Sequence, residues 1–213
     1  TIEIPKKMSF EDAAMTEPAS CCFSGTEMID YKNKPKILII GSGIMGILCM
    51  LFIKQKDIDF VVVSEPNPLR RKMALKLGAD FVIDPNNKMS NKQLEELTNS
   101  QGFDICVEAV GFPKLLEYGI SKLRPRGQAF MIGVHPERSH LPTDLYDFHY
   151  REIKLIGAFG RGDYFNETPE RISNFGLDKL VSKIFSLDEL GPIVATILQR
   201  SFFSLSPEFF RYS

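Results

Sequence analysis

Apolar residues fall along this chain in short β-branched runs, separated by stretches in which hydrophobic positions recur every three or four residues. Lys36 to Ile40 (KILII) reads as a strand with no polar face, and the uncharged stretch continues to Ile53. A parallel strand buried on both faces and entering a buried helix, Ile44 to about Lys56, gives such a run. The 17 residues from Ile37 to Ile53 touch the lower limit of a membrane span, but Gly41, Gly43 and Gly46 crowd the first half and α/β alternation follows. No membrane partner is expected.

Asp59 to Ser64 (DFVVVS) is a second strand that ends at Glu65. Asn67 and Pro68 suit the cap and first turn of a helix with Leu69, Met73 and Leu77 on one face, Arg70, Arg71, Lys72 and Lys76 outside, and a stop at Gly78. Phe81 to Ile83 is a short strand, Asn91 to Asn99 a polar helix and Phe103 to Glu108 a strand of alternating pattern. A helix over Pro113 to Leu123 then leads to strands over Gln128 to Val134 and Ile153 to Phe159. Strands spaced by helices imply right-handed crossovers. The fold class expected is α/β: a doubly wound parallel sheet (Rossmann fold) with six main strands and helices on both faces.

Length and charge narrow the picture. At 213 residues the chain is short for two complete domains. Twenty-six basic against 27 acidic side chains give a net charge of -1, so no basic excess points to nucleic acid. No basic and then apolar stretch opens the sequence, so no leader peptide is expected. Cys21, Cys22 and the two other cysteines lack zinc-type or disulfide-framework spacing, and read as buried reduced thiols of a cytoplasmic protein.

Gly41-Ser42-Gly43-Ile44-Met45-Gly46 is a G-x-G-x-x-G between strand and helix. Its glycines permit a tight turn, a close approach of pyrophosphate to the backbone and close packing of helix on strand, while the helix start offers free N–H groups. Glu65 follows Gly46 by 19 residues, where a carboxylate can accept the adenosine ribose hydroxyls and repel a 2′-phosphate. NAD is therefore expected over NADP, with Arg70 and Arg71 as the groups that would favour the opposite. A methyltransferase using S-adenosylmethionine shares the glycine turn and the acid, but such enzymes carry an Asp/Asn-Pro-Pro-aromatic motif where this chain has Glu108-Ala109-Val110-Gly111.

Together with Ala74-Leu75-Lys76-Leu77-Gly78-Ala79-Asp80, Ile132-Gly133-Val134 and Arg151 to Phe159, these motifs resemble the zinc-type medium-chain dehydrogenases, in particular the branch with sorbitol-like polyol dehydrogenases and threonine dehydrogenases. The resemblance implies NAD-dependent oxidation of a small alcohol, polyol or 3-hydroxy amino acid, with zinc in the intact enzyme and association into homo-oligomers. It implies that Ile132, Gly133 and Val134 line the nicotinamide side, that Ala158 and Phe159 offer backbone groups to the carboxamide, and that Val110 and Gly111 flank the adenosine half. Residues 1–30 then correspond to a segment connecting to a GroES-like catalytic domain absent from this sequence, 31–190 to the NAD-binding domain and 191–213 to an aromatic-rich tail that departs from the family. Glu17 falls where the branch places a carboxylate at catalytic zinc, as a ligand, through a water, or as a plain helix acid. His135, His140 and His149 lack zinc-type spacing and read as surface residues. Two rival readings remain: a non-catalytic dinucleotide-binding module, and a zinc-independent NADP reductase.

Overall fold

The computed structural model describes residues 2–141, 143–160, 164–181, 183–191 and 194. Two compact units are present, Thr1–Asp178 and Lys179–Ser213. In the second, the described part includes a 3-10 turn, Leu187–Glu189, where the Ser186 amide and hydroxyl donate to Glu189 Oε2 at 2.8 and 3.0 Å. The aromatic run Ser201 to Tyr212 lies outside the described residues.

The first unit opens with α1 (Phe10–Ala13) and α2 (Thr16–Thr26), then alternates strand and helix. β1 (Lys36–Ile40) leads to α3 (Ile44–Ile53), β2 (Phe60–Ser64) to α4 (Pro68–Lys76), and β3 (Phe81–Ile83) to α5 (Ser90–Leu97). β4 (Phe103–Glu108) and α6 (Pro113–Ser121) follow, then β5 (Leu123–Met131), α7 (Leu145–Tyr150), β6 (Lys154–Gly157) and α8 (Thr168–Ile172). The six strands form one sheet in the order β3-β2-β1-β4-β5-β6, with every pair parallel. The order reverses between β1 and β4, which opens a crevice beyond their carboxyl ends.

Alternation along the strands splits the core in two. Leu38, Ile40, Val62, Cys106 and Ala129 pack with Leu94 of α5 and with Leu116 and Ile120 of α6. On the opposite face α2 packs against α3, where Phe23 and Phe52 stack at 5.0 Å. Gly25 lets α2 approach the sheet, since a Cβ there would stand 2.6 Å from the Phe130 ring. After α2, the Gln128 side chain clasps the backbone of Asp30: its oxygen accepts the Asp30 N–H at 3.0 Å and its amide donates to the Asp30 carbonyl at 2.8 Å.

Three expectations need correction. β5 spans Leu123–Met131, not Gln128 to Val134: Ile132 and Gly133 both donate to the one Glu108 carbonyl at the end of β4, each at 3.0 Å, so the one-to-one ladder stops there. β6 ends at Gly157 rather than at Phe159. Leu69, expected on the buried face of α4, is 77% exposed, and the helix instead seats Ala74. The run from Ile37 to Ile53 is strand plus helix, and no helix among the described residues is long and apolar enough to cross a membrane.

Candidate functional site: a nucleotide cleft at the reversal of strand order

The cleft starts at the glycine turn between β1 and α3. Gly41 has φ +91°, a left-handed conformation that suits glycine, and donates its N–H to Ser64 O at 2.9 Å. Gly46 sits against the Gly41 carbonyl, where any Cβ would collide with backbone. Gly43 differs: it caps α3 without a side-chain hydrogen bond, and nothing lies within 4 Å of where its Cβ would be. The first amides of a helix, here Ile44, Met45 and Gly46, have no intrahelical partners. Turn and helix start thus make an open cradle of N–H donors that fits a pyrophosphate. Met45 is half-buried, and its carbonyl accepts the Cys22 thiol at 3.5 Å.

Glu65 is buried at the end of β2, where it closes on the turn rather than hanging free. Its Oε2 accepts the Ser42 amide at 2.9 Å and the Ser42 hydroxyl at 3.2 Å, and its Oε1 accepts the Asn67 amide at 2.9 Å. A carboxylate has about four lone-pair sites, so one on Oε1 remains, and rotation of the Ser42 hydroxyl frees another. Asn67 caps α4 as its sequence position predicts, accepting the amides of Leu69 and Arg70. Of the two arginines, Arg70 is exposed, and among the described residues its guanidinium has no partner. Arg71, expected outside, is half-buried: it donates to the carbonyls of Glu65 and Pro66 at 2.6 and 2.7 Å and pairs with Asp84 at 3.1 Å.

Across the cleft, Glu108 ends β4 with no exposed surface, and sequence reasoning missed its role. Its Oε1 accepts the amides of Val110 and Gly111 at 2.9 and 2.8 Å, folding the 109–112 loop over the carboxylate. The legible clue is a glutamate closing a strand buried on both faces, because such an acid must find donors and the next amides are nearest. Gly111, at φ +92°, and Gly133 abut each other, and a Cβ on Gly133 would also stand 2.7 Å from Glu108 Oε2. The structure thereby joins Val110, Gly111, Ile132 and Gly133 at one rim. Val134 is 83% exposed and Phe159 86% exposed. The Ala158 amide is committed to Met131 O at 3.1 Å, so only its carbonyl stays open to the role expected of its backbone.

Of the three histidines, His135 departs from the expected surface position: its side chain is only 15% exposed and faces Glu108. With Arg138 and His140 it lines a cavity of about 570 Å³ bounded by α6, β5 and β6.

Glu17 lies exposed in the first turn of α2, and its Oε1 accepts the Cys21 thiol at 3.6 Å. Burial first and the Glu17 charge second push the Cys21 thiol up. No three metal-capable side chains converge among the described residues. These residues alone therefore do not fit a zinc ion, and any site using Glu17 takes further ligands from elsewhere.

The geometry agrees with relationships in sequence and fold. Residues 45–176, more than half of the chain, match the family described as Zinc-binding dehydrogenase. The L-threonine 3-dehydrogenase of Pyrococcus horikoshii is 33% identical over 161 residues, 74% of this chain and 44% of that protein. The sorbitol dehydrogenase of Bacillus subtilis is 25% identical over 198 residues, 92% of this chain and 56% of that protein. In fold, the chain resembles a protein of Sinorhizobium meliloti 1021 described as a zinc-binding dehydrogenase bound to NADP, with TM-score 0.82 and 22% identity over 91% of this chain and 58% of that one. The chain belongs to the zinc-binding dehydrogenase family. It spans about half the length of the curated relatives it matches.

Proposed function

We propose that the chain is the NAD-binding portion of a zinc-dependent dehydrogenase that oxidises a secondary alcohol, polyol or 3-hydroxy amino acid. The observation that carries this is the open cradle at Gly43 beside the buried Glu65 carboxylate. The α3 amides hold the pyrophosphate, Glu65 accepts a ribose hydroxyl, and Ile132, Gly133 and Val134 form a wall for the nicotinamide. The nicotinamide, when bound, supplies a hydride acceptor. This chain binds and orients it, and no zinc step is assigned to the described residues. The names of the relatives support the substrate class, and the exposed edge at Leu155 of β6 supports pairing with a second copy. A cytoplasmic setting fits the free thiols.

The fold relative that binds NADP makes the cofactor choice the point to test. A Glu65 carboxylate opposes a 2′-phosphate, whereas Arg70, exposed and without a partner among the described residues, is the group that would favour one. Titration of the chain with each reduced cofactor should show NADH binding about tenfold tighter than NADPH, the scale of one misplaced charge. Equal or tighter binding of NADPH overturns the choice of NAD, and failure to bind either overturns the nucleotide reading. The chain alone should make no NADH from alcohols.

A further inference from the structure

Two buried polar atoms, Glu108 Oε2 and His135 Nε2, have no hydrogen-bond partner among the described residues, and they face each other at 3.6 Å. The other imidazole nitrogen settles the tautomer. His135 Nδ1 lies 3.1 Å from the Gly133 carbonyl, which can only accept, so Nδ1 carries a proton. With that proton alone, Nε2 would turn a bare lone pair toward a carboxylate oxygen and bury two acceptors with no donor between them. A second proton on Nε2 removes the conflict and turns the contact into a charge-assisted one.

We propose that Glu108 and His135 together hold a proton, seated on His135 Nε2 and directed at Glu108 Oε2, and that this pair positions the two loops facing the nucleotide. Glu108 is placed to do so. Its Oε1 gathers the Val110 and Gly111 amides, its carbonyl takes those of Ile132 and Gly133, and its Oε2 meets the loop again through His135. The register partners of Glu108, Ile40 on β1 and Met131 on β5, are apolar. The charged or ionisable neighbours are Cys106 on β4, which burial and then the Glu108 charge push up, and Arg138 and His140 on the loop lining the same cavity. Pro113 and Leu116 of α6, and Leu155 and Gly157 of β6, bring no charge to that cavity.

Only the link to the nucleotide rests on the dinucleotide reading, and two measurements separate them. In the full chain labelled with ¹⁵N and free of ligand, the His135 ring, assigned by its loss in His135→Gln, should show both nitrogens protonated at neutral pH. NADH affinity should then fall about tenfold as the pH rises from about 6 to about 9, the scale of one charge-assisted hydrogen bond. Glu108→Gln should abolish that slope, because its carboxamide oxygen keeps the loop amides while its NH₂ donates to an unprotonated Nε2. His135→Gln, a donor at every pH, should abolish it too, and stands in if Glu108→Gln fails to fold. An unprotonated Nε2 at neutral pH, or a wild-type slope in both variants, overturns the proposal. A doubly protonated ring in a chain that binds no NADH upholds the proton pair and overturns the nucleotide reading.

Discussion

The two walls of the cleft are built in opposite ways. On the β1–β2 side, polar groups close on one another: Glu65 holds Ser42 and Asn67, Arg71 holds the backbone beyond β2, and the glycine turn is packed against its own helix. On the β5–β6 side, beyond the Glu108 rim, the apolar residues Val134 and Phe159 stand in solvent. The first wall is finished by its own hydrogen bonds, whereas the second offers surface for something else to cover. Stability therefore rests on the first wall, apart from the open cradle at Gly43, while the exposed side chains of the second wall are free of that duty.

The sharpest way to break this comparison lies within the glycine turn. Gly46→Ala drives a Cβ into the Gly41 carbonyl and should cost about 3 kcal/mol in denaturant unfolding, the upper end of overpacking. Gly43→Ala meets open space, so its stability should stay within about 0.5 kcal/mol while NADH binding is lost. If both variants unfold alike, the cradle at Gly43 is structural rather than a ligand site. Glu65→Ala, which strips the acceptor from the buried amide and hydroxyl of Ser42 and from the Asn67 amide, should cost about 2 kcal/mol with no ligand present. An unchanged melting curve would show that the first wall is not closed by Glu65.

Alkaline pH tests the core behind both walls at smaller scale. Burial, reinforced by the Glu108 charge, pushes the Cys106 thiol up, so the folded chain keeps a proton that the unfolded chain releases. Stability should be full below about pH 8.5 and fall as pH rises past the ordinary thiol range. Cys106→Ala should lessen this slope in thermal melts, leaving the part due to the raised Cys21 and Cys22 thiols, and an unaltered slope would assign it to other groups. The smallest effect belongs to the open wall. Val134→Ser with Phe159→Ser should leave stability within about 0.5 kcal/mol. A larger loss would mean that these side chains are covered within the chain.

The sheet was legible because its strands are short and nearly free of polar residues, as in KILII and FVVVS, and because Asn67-Pro68 and Gly78 mark helix ends chemically. Glycine turn and acid were legible by spacing. What spacing cannot show is a side chain closing on backbone folded from another part of the sequence. The Glu65 clasp on Ser42, the Arg71 brace and the His135 approach to Glu108 are contacts of this kind. The misplaced end of β5 has the same origin: Ile132-Gly133-Val134 continues a strand by propensity, yet the Glu108 carbonyl captures two of its amides. Leu69 erred differently, because α4 seats its small Ala74 against the sheet and turns the larger residue outward.

The clasp of Gln128 on Asp30 has a consequence for the order of folding. One carboxamide imitates a strand neighbour by giving and taking a hydrogen bond across 98 residues of chain. Loops that long close late, after β1, β4 and β5 have brought Gln128 into register. The clasp is then less a step on the way to the sheet than a latch that drops once the sheet exists, whereas α2 itself packs on the nearby α3.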